Sequence, residues 1–172
     1  MGDCNCICEI KALRSMVEDL KKTIGKRTMV AFSASLRPEG PLIGDGYGKT
    51  GPFNHLANVI FQEAITNIGD AYDKKTGVFT APEKGVYYMT FTIYGWANAE
   101  TVGAGLYKNG TEMCLAWLGV KKVSTEDFAT HAVVLQLEKG DTVNVRLPQG
   151  MQITSREGSN VTTFSGFLLN SV

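Results

Sequence analysis

Hydrophobic positions change their period once along this chain, near residue 28. Before that point Ile10, Leu13, Val17, Leu20 and Ile24 recur at spacings of 3, 4, 3 and 4, which is the a/d seam of a heptad repeat. Arg14, Glu18 and Lys22 follow one another at i, i+4 with alternating sign, as on the solvated face of a helix. Gly25 is a stop signal, and Lys26 and Arg27 sit toward the negative end of the helix dipole. The pattern predicts a helix over 9–25 inside an N-terminal segment, 1–28. A helix of this length is marginal alone. Two readings stand: a short coiled coil between copies, or an amphipathic helix lying on its own domain. Isoleucine and valine at a with leucine at d suit a two-stranded coil, so the helix by itself does not argue for a trimer.

From Met29 to Val172 the period is two, broken by turns. "MVAFSASL" opens a strand, and the Gly- and Pro-rich "RPEGPLIGDGYGKTGP" reads as loop. "ANVIFQEAITNIG" carries apolar Val59, Phe61, Ala64 and Ile65, with a break in alternation that fits a bulge or bend. In "GVYYMTFTIY", Tyr87, Met89, Phe91 and Ile93 face one way and Tyr88, Thr90, Thr92 and Tyr94 the other. Asn109-Gly110 between two strand-like runs is the strongest short hairpin signal, and Lys139-Gly140-Asp141 joins two more. "VTTFSGFLL" closes the chain. Evenly spaced strands without a second helix predict an all-β sandwich or jelly roll over 29–172.

Composition narrows the function. Seventeen basic and seventeen acidic residues leave no net charge, which removes the basic surface that nucleic-acid binders need. No apolar run approaches the roughly 18 residues of a membrane-spanning helix. Nineteen glycines occur without a Gly-x-y repeat, so a collagen triple helix is excluded. No signal peptide is visible, and the expectation is a mature form carrying a start methionine, with a cytosolic chain as the other reading. Gly2 fails as a myristoylation site because Cys6 stands where Ser or Thr is required.

Cys4, Cys6 and Cys8 form a C-x-C-x-C run without the C-x2-C pairs of zinc sites. Read as extended chain, neighbouring thiols point to opposite sides and suit interchain disulfides, which imply an oxidising, extracellular setting. Metal binding and unpaired thiols are the other readings. Cys114, in apolar "EMCLAWLG", reads as a buried unreactive thiol.

Five blocks in order resemble the globular complement C1q domain: "VAFSASL" at 30–36, "DAYDKKTGVFTAPEKGVYYMTF" at 70–91, "LYKNG" at 106–110, "VVLQLEKGDTV" at 133–143 and "TFSGFLL" at 163–169. "TGPFN" at 50–54 and "FQEAITNIGDAYD" at 61–73 look like the short secreted members without a collagen stalk, cerebellin-like proteins among them. The resemblance implies a ten-stranded jelly roll of C1q/TNF type, preceded by the short coiled-coil helix, assembled as a homotrimer or heterotrimer. Phe32, Tyr72, Phe79, Tyr87, Phe91, Phe164 and Phe167 then supply core and subunit packing, without a sequence basis for separating the two. The implied function is non-enzymatic: multivalent innate-immune recognition of microbial or altered-self surfaces through an extracellular protein, glycan or lipid-surface ligand. A receptor-clustering ligand of cerebellin or cytokine type, and an extracellular structural assembly protein, are the alternatives.

Individual site candidates are few. Family members that bind calcium use acidic residues between the fifth and sixth strands. Here that stretch is "LGVKKVSTEDF", where Lys121 and Lys122 add positive charge and Glu126 and Asp127 are the candidate ligands, with ordinary solvated carboxylates as the other reading. Asn109 and Asn160 head N-x-[ST] sequons, both expected on surface loops. His55 and His131 lack any local nucleophile motif. "GYGKTG" at 46–51 fails as a phosphate loop, since Ile43 replaces its first glycine and Gly51-Pro52 stands where a helix should begin. Loops at 37–58, 95–102 and 118–128 are where ligand specificity is expected.

Overall fold

The computed structural model describes residues 3–25, 29–95, 101–118 and 126–172, with the side chains of the N-terminal helix described from Cys8 to Lys22. That helix, α1, spans Asp3–Gly25. It ends where Gly25 predicts but begins well before residue 9. The cysteine segment is therefore helical rather than extended, and the alternating-sides argument for its thiols does not hold. Every described side chain of α1, from Cys8 to Lys22, is exposed, so this stretch of the helix is not buried against the described part of the head. No helix among the described residues is long and apolar enough to cross a membrane.

Among the described residues thirteen strands follow: β1 (Ala31–Ser35), β2 (Tyr47–Thr50), β3 (Ala57–Asn58), β4 (Glu63–Ile68), β5 (Tyr72–Asp73), β6 (Val78–Thr80), β7 (Gly85–Gly95), β8 (Val102–Lys108), β9 (Thr111–Leu118), β10 (Asp127–Leu137), β11 (Thr142–Leu147), β12 (Ile153–Arg156) and β13 (Thr163–Ser171). The count differs from the expected ten because short pieces, such as the two-residue β3 and β5, stand as strands of their own. One sheet runs β2-β12-β7-β13-β1-β4, with β10 also paired to β7; the other runs β5-β6-β11-β8-β9, with β3 paired to β11. All pairings between strands are antiparallel. The two sheets form the jelly-roll-like sandwich that the turn spacing predicts.

The period of two decides what lies between the sheets. On β7, Tyr87, Met89, Phe91 and Ile93 are buried, and they meet Phe79, Leu106, Val143 and Val145 of the other sheet in one core cluster. Phe32 sits at its centre, stacked on Tyr72 at 5.0 Å and Phe79 at 5.1 Å and edge-on to Phe164 at 4.8 Å. Tyr94, expected outward with Tyr88, is buried as well, because the rings of Tyr47 and Phe128 cover it. The predicted break in β4 is a bulge: Ser33 faces Thr66 but Ala34 faces Ala64, leaving Ile65 as the extra residue. Gly77 is required by its surroundings, since it has a φ of +73° and a Cβ there would lie 2.3 Å from the Val59 carbonyl oxygen.

The Asn109-Gly110 hairpin turn has both residues at positive φ, as the primed turns demand. The Asn109 side chain does more than turn the chain. Its Nδ2 donates to Asp141 Oδ1 at 2.8 Å, and its Oδ1 accepts from the Thr142 backbone N–H at 2.9 Å. These bonds tie the β8–β9 turn to the β10–β11 turn. The Asp141 carboxyl is pulled down to about 2, chiefly by the Asn109 bond, then by the Glu138 backbone N–H and Lys108. A folded value below the unfolded one stabilises above the unfolded pKa and is lost as pH falls through the folded one. The contribution should therefore disappear between about pH 4 and pH 2. Asp141→Asn is expected to remove this part of the acid sensitivity, measured as the change in urea midpoint between pH 5 and pH 2.5. A variant as acid-sensitive as the original would contradict the assignment.

Candidate functional site: an uncovered apolar face and edge

Strand register, rather than any local motif, builds the most distinctive surface. Val134 faces Tyr88 across β10 and β7, Tyr88 faces Phe167 on β13, Phe167 faces Ala31 on β1, and Ala31 faces Ile68 on β4. Directly opposed residues of an antiparallel pair share a face. Five strands thus contribute one apolar side chain each to a continuous row on the outside of the sheet. Val134 is 57% exposed, Phe167 43% and Ile68 45%, and the Tyr88 and Phe167 rings lie 5.3 Å apart. The next row is Ala132, Thr90, Ser165, Ser33 and Thr66, in which Ser33 and Ser165 bond each other at 2.8 Å. A shallow cavity of about 260 Å³ opens between the two rows, lined by residues that include Tyr88, Phe167 and Thr66.

A second apolar area lies elsewhere. On β9, the edge strand of the other sheet, Ala116 is buried inward opposite Ala104, whereas Met113, Leu115 and Trp117 are exposed. Leu115 and Trp117 face Gly105 and Gly103, so no neighbouring side chain on β8 covers them. Trp117 is 58% exposed, and Phe128 at the start of β10 is exposed too. Monomeric proteins seldom leave large side chains uncovered in groups of this kind.

The aromatic candidates from the sequence now separate. Phe32, Tyr72, Phe79, Tyr87, Phe91 and Phe164 belong to the core, and Phe167 belongs to the outer row. Tyr88, Ile68, Val134 and Trp117 were not among them. Burial pushes the Tyr72 hydroxyl well above the usual phenol range although Phe61 accepts its hydrogen bond.

The remaining candidates are scattered. Glu126 accepts from the Tyr47 hydroxyl at 3.1 Å, and Asp127 accepts from the Phe128 backbone N–H at 3.2 Å. No three His, Cys, Asp or Glu side chains converge among the described residues. A calcium ion takes six to eight oxygens, and Glu126 and Asp127 supply only part of such a set among the described residues; Lys121 and Lys122 lie outside them. Asn160 is exposed and its Oδ1 accepts from Arg37 Nη2 at 2.7 Å. Arg37 also pairs with Glu63 and donates to the Ser159 carbonyl, fixing the loop that carries the sequon. Asn109 is committed at both ends of its amide, as described above.

His55 bonds its neighbour Asn54 at 2.9 Å, and His131 faces the Leu115 carbonyl at 3.3 Å across the gap between β10 and β9. Lys49 and Thr50 of "GYGKTG" lie on β2, paired with Thr154 and Ile153, so that segment is a strand. Cys114 is half-buried, and burial pushes its thiol up. Cys8 is exposed on α1 and free, whereas the side chains of Cys4, Cys6 and Ile24 lie outside the described residues. Much of the loops at 95–102 and 118–128 also lies outside them.

Comparison with known proteins places the chain, rather than this surface, among relatives. A family model described as the C1q domain matches residues 47–169. Complement C1q tumor necrosis factor-related protein 3 of Homo sapiens is 35% identical over 116 residues, covering 67% of this chain and 46% of that protein, and the Mus musculus protein matches equally. The match thus spans about half the length of these curated relatives. Among solved structures, the globular domain of zebrafish complement 1qA protein has a TM-score of 0.60 at 22% identity, covering 84% of this chain and 99% of that one. Eiger TNF from S. frugiperda has a TM-score of 0.63 at 14% identity, covering 85% and 96%.

Proposed function

The chain belongs to the C1q domain family, and from that premise we propose that it is an extracellular, trimeric recognition protein that performs no chemistry. The observation that carries the reading is the pair of uncovered apolar areas on one head. They differ from each other, one a sheet face around Phe167 and the other an edge around Trp117. Two different patches on one chain make a heterologous contact, which closes into a ring when the rotation permits. Packing the edge of each copy on the face of the next buries both in a closed set of three, the assembly of C1q/TNF-like domains. The outer loops are then left free at three equivalent places.

Three equivalent sites allow weak contacts to add up as avidity. The finer role is innate-immune recognition of microbial or altered-self surfaces, by contacts too weak to hold singly. In an oxidising setting the cysteines at the start of α1 would link chains or trimers covalently, and this would raise the valency further.

The reading predicts a specific binding pattern. Full-length protein is passed over immobilised bacterial cells, over lipid vesicles rich in phosphatidylserine, and over a panel of extracellular receptor domains. Binding to the cells or vesicles should fall at least tenfold when trimers are broken by an outer-row variant, because avidity is lost. Undiminished binding by single chains, or saturable binding to one receptor domain alone, would overturn the surface-recognition role. The latter result would install the receptor-clustering reading in its place.

A further inference from the structure

The helix α1 carries an apolar seam that no described residue covers: Leu13 and Leu20 are each 60% exposed, and Ile10 and Val17 lie open beside them. Arg14, Glu18 and Lys21 flank the groove along this seam. With Ile10 at a and Leu13 at d, Arg14 and Lys21 take e positions, while Glu9 and Met16 take g. In a parallel, in-register bundle a g residue faces the e residue of the following heptad on its neighbour. Glu9 then meets Arg14 of the next copy. An antiparallel arrangement brings e beside e and sets Arg14 and Lys21 against like charges.

We infer that the Ile10–Leu20 face of α1 is a docking surface for the same helix of two further copies of this chain, parallel and in register. The inference rests on the trimeric reading of the head. A ring of three heads delivers three helices from the same side, which is the arrangement that the charges favour. The head also sets the number. The a/d pattern alone suits two strands, and a 23-residue helix of about 35 Å is marginal without partners. Tethering three such helices raises their local concentration enough to overcome both tendencies.

The test uses the full chain with Cys4, Cys6 and Cys8 each changed to serine, carrying either Leu13→Cys in the seam or Ser15→Cys on the opposite face. Oxidised glutathione is the oxidant: two protein thiols become one interchain disulfide, and the glutathione disulfide leaves as two thiols. Disulfides form only when the two Cα atoms come within about 7 Å. Covalent dimer on a non-reducing denaturing gel should therefore be about tenfold more abundant for Leu13→Cys than for Ser15→Cys. Adding Glu9→Arg should cut that yield about twofold, the size of one exposed ion pair, and Glu9→Arg with Arg14→Glu should restore it. Equal yields from the two positions, or no dimer from either while light scattering still gives three chains, overturns the docking inference and leaves the head reading intact. A mass of one chain overturns both.

Discussion

Glutamate in place of Phe167 should release the head as single chains. Phe167 projects from β13 at the middle of the five-strand row, with Tyr88 on one side and Ala31 on the other. In a dry contact its replacement forfeits about 2 kcal/mol of apolar burial. Stranding an unpaired carboxylate there costs several kcal/mol more. Even about 3 kcal/mol is on the order of a hundredfold in association at each contact, and a closed ring of three contains three of them. The substitution lies outside the core, so the β-sheet circular dichroism of the single chains should match that of the original protein. Thr90→Glu, one row away, gives a milder version of the same effect. A Phe167→Glu protein that keeps a mass of three chains would place the contact on some other face.

Phe32→Ala should have the second largest effect, and on folding rather than on assembly. Phe32 is the hub of the aromatic cluster, touching Tyr72, Phe79 and Phe164. Gly166 packs so tightly beside it that a Cβ there would lie 2.9 Å from the ring. The backbone on that side cannot collapse into the space that alanine leaves. Removing a core phenylalanine costs about 3–5 kcal/mol when the cavity persists, against a total of about 5–15 kcal/mol for a domain. The urea midpoint of a monomeric background such as Phe167→Glu is the proper readout, because assembly would otherwise mask part of the loss. A fall below about 1 kcal/mol would mean that the core repacks around the vacancy.

These two phenylalanines also mark what could be read from the sequence. The alternation in β7, the Asn109-Gly110 turn and the break at Ile65 are local signals, and each has its counterpart in the fold. Phe164 and Phe167 were grouped together as packing residues, yet their odd separation places them on opposite faces of one strand. That parity was available and separates core from surface. The outer row as a whole was not legible. Its members come from five strands spread between Ala31 and Phe167, one residue from each, so no window of sequence contains the pattern. Only the register, set by turns and by the bulge at Ile65, brings them into line. Trp117 and Leu115 were hidden for a related reason: on β9 the alternation is weak because both faces carry apolar residues. The early start of α1 is not legible in the sequence, because the cysteine-rich residues before Glu9 carry no heptad signal of their own.

The calcium candidates are a different case, in which a sequence position points to chemistry and no third His, Cys, Asp or Glu joins the two carboxylates among the described residues. Glu126 and Asp127 are adjacent in sequence, but one faces the Tyr47 hydroxyl and the other folds back on the next amide. Adjacent carboxylates make a cation site only when further oxygens converge on them.

On the proposed reading, the apolar face and edge of the head are covered by further copies of the same chain. Native mass by light scattering on the full chain, measured with and without reductant, tests it most directly. A mass of three chains that survives reduction is the predicted result, with any larger multiple reverting to three once the N-terminal disulfides are reduced. A mass of one chain under both conditions would contradict the account.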